Sequence, residues 1–247
     1  MTWSLLVRSE LRKIATTKLP MVFLGIIVAI VSATATAILA GHDADGTKGF
    51  ISSATDQQSL LAFGTNAMMG AGLFGAIAAA REYDHRTVIS MFLVSPRRHQ
   101  AMLAQYVALF LTGGLLGLAG GVLTIVAALI CLPMVDFDFL LSAGAVIRIL
   151  ATAALAGGVG AVLGAGVGAL VRNSAGAVTA AVLLLIIAPP LAVQFLNNAD
   201  WVPSTVVNVI SGVGEGPSVA ASLAILAGWA VVPAIVALFF VHRRDVT

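Results

Sequence analysis

Charge is what this sequence has least of. Only 10% of its 247 residues are Asp, Glu, Lys or Arg, 60% are apolar, and the mean hydropathy is +1.04. Soluble globular domains average about 25% charged and 45–50% apolar residues, so a water-soluble domain is excluded and the chain reads as an integral membrane protein. A single cysteine, Cys131, lies in an apolar run, which excludes an intrachain disulfide or a thiolate metal cluster. No GxxxxGK[ST] loop is present, so the chain does not bind and hydrolyse ATP by itself. There is neither an HExxH helix nor a pair of aspartates at membrane depth, which removes the intramembrane proteases. All eleven acids and all four histidines fall in loops or at the ends of apolar runs. That argues against ion-coupled transport, which needs a titratable ligand inside the membrane. His42, Asp43 and Asp45 beside Gly46 read as a solvated turn rather than a metal corner. No catalytic residue and no metal site is assigned.

What the chain does have is long apolar runs. About 20 such residues cross a hydrocarbon core of about 30 Å, and six segments qualify: about 21–40, 59–80, 101–132, 145–171, 175–197 and 218–241. They lack the two-residue alternation of a lipid-embedded barrel. The expected fold is therefore all-α, six transmembrane helices in one domain over 1–247. The first run exceeds a signal h-region in length and is read as retained. Before it, residues 2–18 place Trp3, Leu6, Val7, Leu11 and Ile14 at three- and four-residue spacing, with Arg8, Arg12 and Lys13 elsewhere. This is the pattern of an amphipathic helix lying in the headgroup region.

Six crossings put both termini on one side. That side would hold eleven of the thirteen basic residues, leaving Lys48 and Arg148 on the other. The positive-inside bias then makes both termini, and the cluster at 81–100, cytoplasmic.

Glycine recurs every four residues at Gly113, Gly117 and Gly121 and again at Gly160, Gly164 and Gly168. Such stripes let another helix approach closely, whether in intrachain packing, at a subunit interface or along a sliding surface. Pro189-Pro190 and Pro233 predict kinks or breaks. Around the second run, Thr65 and Asn66 stand beside Met68, Met69 and Phe74, and Gln194 lies in the fifth. These residues form a candidate path for a bulky apolar ligand with a few polar groups; a plain helix contact is the alternative. In NADWVPSTVVNVISGVGEGP, residues 198–217, Trp201 marks an interfacial anchor and STVVNVI a short helix.

The densest charge lies in AAREYDHRTVISMFLVSPRRHQAML, residues 79–103, with four arginines, two acids and two histidines. Within it Glu82-Tyr83 is followed by Thr87-Val88-Ile89, then Met91-Phe92-Leu93-Val94, then Ser95-Pro96-Arg97-Arg98. The order and spacing resemble the segment after the second span in the membrane subunits of type-2 ATP-binding-cassette (ABC) exporters, especially their actinobacterial drug-export branch. Arg86 stands where that family usually has glycine. The closing HRRDV, 242–246, resembles the family's basic end.

The resemblance implies a permease of the bacterial plasma membrane that exports a hydrophobic or amphiphilic compound: a drug, antibiotic, peptide or lipid. It also implies a second permease copy or a similar one, and separate cytosolic ABC ATPase subunits that carry the ATP and Mg. A short helix bearing Arg81, Glu82, Tyr83, Asp84, Arg86 and Thr87 is expected to dock in the ATPase, with charges setting register and the aromatic ring filling a pocket. An ion-coupled secondary transporter and a non-transporting membrane scaffold are the other readings the residues leave open.

Overall fold

Backbone in hydrocarbon must satisfy its own N–H and C=O groups, and this chain does so with helices. The computed structural model describes residues 3–40, 51–64, 67–84, 98–195 and 199–243, and among these no strand occurs. The helices are α1 (Trp3–Thr16), α2 (Leu19–Ala40), α3 (Ala54–Gly64), α4 (Ala67–Asp84), α5 (Arg98–Met134) and α6 (Ala143–Val171). Then come α7 (Ser174–Val182), a π turn (Leu183–Ile187), α8 (Ala188–Phe195), α9 (Pro203–Ser211) and α10 (Val219–Arg243).

Five stretches are long and apolar enough to cross a membrane: α2, α5, α6, the continuous run from α7 through α8, and α10. The described residues of the expected second span, 59–80, lie on α3, up to Gly64, and α4, from Ala67; residues 65 and 66 lie outside the described residues. Of the two helices, α3 has 11 residues, while α4 has 18 and ends in Arg81, Glu82 and Asp84, too much charge for a purely apolar crossing.

Along α6 the residues from Ala156 to Gly166 are buried without a gap. Their side chains are almost all Gly, Ala or Val, so helices close in on every side. On one face α4 approaches Gly160, Gly164 and Gly168: a methyl at these positions would stand 2.3 Å from the Met68 carbonyl oxygen, 1.8 Å from that of Gly72 and 2.4 Å from that of Ala76. On another face, a methyl on Gly157 would stand 2.4 Å from the Gly113 oxygen and 3.1 Å from Gly117 Cα. Pro233 of α10 takes a third side, against Gly166. Gly121 is buried on α5. Outer helices are different: α2 buries only Phe23 and Ile38 and turns Met21, Val22, Ile26, Val28 and Ile30 outward, as a lipid-facing helix does.

Pro189-Pro190 do not break their helix. A proline ring clashes with the carbonyl four residues back, and the π turn immediately before the pair widens the coil, with the Ala188 N–H donating to the Leu183 carbonyl. Insertion of one such turn is a common accommodation.

At the end of the bundle opposite α1, side chains stitch the connections. Buried Gln57 donates to the Ile51 and Asp138 carbonyls and accepts from the Leu140 N–H. The STVVNVI helix is α9, started by Pro203, and its last carbonyls are capped from other helices. Arg148 donates from Nε to the Ile210 carbonyl (2.6 Å) and from Nη2 to that of Val209 (2.9 Å), and Gln58 donates to that of Ser211 (2.9 Å). A cation at a helix C-terminus also meets the favourable end of the macrodipole. Replacing Arg148 by methionine is expected to cost about 1–2 kcal/mol locally. Amide exchange in residues 209–214 should then quicken roughly 5- to 30-fold, measured by hydrogen–deuterium exchange with mass spectrometry; unchanged rates would rule out the clamp. Beside it Trp201 and Trp229 stack at 6.2 Å, and the Trp229 indole N–H donates to the Trp201 carbonyl.

Candidate functional site

Two acids, Glu82 and Asp84, sit in the last turn of α4, where the helix macrodipole disfavours negative charge. Each has a partner on another element. The Glu82 side chain is only 9% exposed and takes an ion pair and hydrogen bond from Lys13 of α1. Gln105 of α5 adds a further hydrogen bond to it. Lys13 also reaches Glu10, at 3.2 Å, so one ammonium sits between two carboxylates.

Burial pushes the Glu82 carboxyl above the usual carboxylate range, against the pull of Lys13. Burial lowers the Lys13 ammonium, but Glu82 and Glu10 outweigh it and hold the group above its ordinary value.

Asp84 accepts from the Ser174 N–H at 3.0 Å and from the Ser174 hydroxyl. Ser174 opens α7, and its N–H is one of the first-turn donors that a helix leaves without an internal partner. Asp84 therefore supplies both a hydrogen bond and a favourable charge at that N-terminus. Asn173 caps the same turn from within, its Oδ1 accepting from the Gly176 N–H at 2.9 Å. Between the two acids Tyr83 is half-buried, with the Arg172 guanidinium 5.3 Å from its ring centroid. Arg172 holds a left-handed backbone (φ 58°) and donates its N–H to the Gly168 carbonyl, which turns the chain sharply from α6 into α7. Burial raises the Tyr83 phenol, opposed by Arg172.

Three consecutive residues at the end of α4 thus grip α1, the α6–α7 turn and the start of α7. Arg81, next to them, is exposed. Arg86 and Thr87, with the rest of 85–97, lie outside the described residues. Glu82 is accordingly not a free docking charge: it is buried inside the chain, and its partners Lys13 and Gln105 are 69 residues back and 23 on. Periodicity puts Lys13 on the polar face of α1, but it is half-buried on the stripe it shares with Leu6, Glu10 and Ile14. The available signal was the pair Glu10 and Lys13, spaced three apart on that stripe.

Residues of the candidate path separate. Met68 and Met69 line a cavity of about 440 Å³ with Leu185, Pro189, Pro190 and Val207. Phe74 is fully buried edge-on against Phe23 at 5.6 Å and lines a different cavity, next to Lys13. Gln194 is exposed on α8, and Thr65 and Asn66 lie outside the described residues. Elsewhere at membrane depth, the Thr112, Thr124, Thr152 and Thr179 hydroxyls donate to carbonyls four residues back in their own helices, which leaves those protons unavailable to a ligand.

A family model described as ABC-2 family transporter protein matches residues 6–188 of this sequence. The chain belongs to the ABC-2 transporter family. It is a multi-pass membrane protein, a transporter membrane component rather than an enzyme, and the family implies ABC ATPase subunits as partners. No curated protein matches the chain. The ABC-2 match runs from within α1 to the first residue of α8, so Glu10, Lys13, Glu82, Asp84, Arg172 and Ser174 all fall inside it.

Proposed function

We propose that this ABC-2 member is the permease half of an ATP-driven exporter, working with a second permease and two separate ATPase subunits, which carry the ATP and Mg. In this reading α3 and α4 together make a sixth crossing, and both termini face the cytoplasm, as the thirteen basic residues, eleven against two, favour. The likeness of 81–98 to the actinobacterial drug-export branch supports a bacterial plasma membrane location and a hydrophobic or amphiphilic cargo. The cavity at Met68 and Met69 is a place where such a cargo would meet an adaptable apolar wall.

One observation carries the coupling role: Glu82, Tyr83 and Asp84 each hold a different element. An ATPase that pushes on the segment after α4 therefore moves α1, the α6–α7 turn and α7 with it, as a rigid device for switching between two states. Arg81, Arg86 and Thr87 serve as the docking face, and Glu82, Tyr83 and Asp84 transmit.

The test is co-purification with the cytosolic ATPase. Charge reversal at Arg81 and Arg86 together is expected to lower ATPase association at least tenfold, while the thermal midpoint stays near that of the wild type because Arg81 is exposed. If association and ATP-dependent transport both survive that double reversal, the coupling assignment fails.

A further inference from the structure

A cavity of about 430 Å³ opens where α1, the α1–α2 junction, α4 from Phe74 to Glu82 and α5 from Gln105 to Leu109 meet. Its volume is that of a small-molecule site, and its lining is graded. Toward the middle of the bundle it is apolar, with Leu19, Phe74 and Leu109; at its rim stand Lys18 and Arg81. Lys18 is the last residue before the apolar helix that starts at Leu19, and Arg81 lies in the last turn of α4. The boundary between polar rim and apolar floor therefore coincides with the ends of the apolar helices, at headgroup depth. The lining carries three basic side chains, Lys13, Lys18 and Arg81, against two acidic ones. Both acids, Glu10 and Glu82, are engaged by Lys13. Among the described residues neither Lys18 nor Arg81 is in an ion pair, so two cations face the opening.

We propose that this cavity binds an anionic phospholipid from the adjoining leaflet, its phosphate between Lys18 and Arg81 and an acyl chain along Leu19, Phe74 and Leu109. The amphipathic helix α1 forms one wall, and such helices draw on anionic lipid. A bound lipid would brace α1 against α4 beside the Lys13–Glu82 pair, making the α1–α4 contact sensitive to leaflet composition.

The full chain, purified in mild detergent with an equimolar mixture of phosphatidylglycerol and phosphatidylcholine, is examined by native mass spectrometry. Wild type is expected to retain one phosphatidylglycerol in clear preference to phosphatidylcholine. Lys18→Gln and Arg81→Gln should each reduce that preference about fivefold, the effect of one basic residue near an anionic headgroup. Arg8→Gln, an exposed cation of α1 outside the cavity, should leave it unchanged. Excess inorganic phosphate should not displace the lipid, because the phosphate alone lacks the apolar contact.

Equal retention of both lipids overturns the proposal, as does full preference in both cavity variants. So does an Arg8→Gln loss as large as theirs, which would indicate diffuse attraction only. Because Arg81 also belongs to the proposed docking face, Lys18→Gln is the variant that reads the lipid alone. Displacement by inorganic phosphate would make the cavity a free-anion site, and loss of ATPase co-purification in Lys18→Gln would make it a protein-docking pocket; either result also overturns the proposal.

Discussion

Replacing Gly164 by alanine is expected to cost about 3 kcal/mol or more, above the usual range for an overpacked site, and to leave little folded protein. A methyl there would lie 1.8 Å from the Gly72 carbonyl oxygen, 2.7 Å from its carbon and 3.0 Å from the Ala76 nitrogen. All three atoms are backbone, so no side chain can swing aside and α4 must back away from α6. Within lipid, helix association depends on close van der Waals contact rather than on hydrophobic expulsion, and separating this pair forfeits its main attraction. The control is Gly25→Ala on α2, where nothing lies within 4 Å. It should be neutral or stabilising by up to about 1 kcal/mol, the ordinary advantage of alanine in a helix. Thermal midpoints and the monodisperse fraction on gel filtration separate the two, and equal behaviour of Gly164→Ala and wild type would refute the close α4–α6 approach.

Lys13→Met carries the second large effect. Removing one partner of a buried pair leaves a desolvated charge, a loss of about 3–5 kcal/mol in fully buried cases. The Lys13 side chain keeps 40% exposure, so solvent screens part of the pair and about 2–3 kcal/mol is expected at pH 8.

The sign with pH follows from Glu82. Its folded-state pKa already lies above the ordinary value through burial, with Lys13 and the Gln105 hydrogen bond pulling it down and Glu10 pushing it up. Without the ammonium it rises further. A group raised on folding contributes its stability below its unfolded pKa and loses it as pH rises through the folded one. The deficit of Lys13→Met should therefore be greatest at pH 8 and shrink toward pH 5, as the carboxyl takes up a proton. Adding Glu82→Gln to Lys13→Met should restore part of the loss at pH 8, because the Glu82 charge is gone and only Glu10, 12% exposed, is left without its cation. Thermal unfolding across pH 5–8 reads wild type and both variants. A deficit that grows on acidification, or a double variant no better than Lys13→Met alone, would remove the buried pair as the cause.

How much could be read from residues in order differs sharply between backbone and site. The crossings at 21–40, 101–132, 145–171, 175–197 and 218–241 correspond to α2, α5, α6, α7 through α8, and α10, because length and apolarity are local properties that lipid enforces on each segment separately. The second span was less legible. Its described residues lie on α3, up to Gly64, and α4, from Ala67, and the charge in the last turn of α4 stands just beyond its apolar run. Stripes at Gly160, Gly164 and Gly168 were visible at their spacing of four. Which helix fills them was not, since any helix with a small-residue face would serve.

The site shows the same division more strongly. That 81–100 is exceptional, and that Glu82, Tyr83 and Asp84 need an explanation beyond topology, is apparent from composition alone. Their partners are not: Lys13 is 69 residues from Glu82, and Ser174 is 90 from Asp84. Composition and hydropathic length by themselves made this a helical membrane protein and marked its charged end, because transfer into lipid acts on every residue wherever its neighbours in space lie. Only the tertiary structure decided that Glu82 turns inward to Lys13, that Asp84 caps α7 and that Arg148 caps α9. A charge or a hydrogen-bonding group takes whatever partner the packing of distant helices brings within about 3 Å, and no local spacing in the chain encodes that distance.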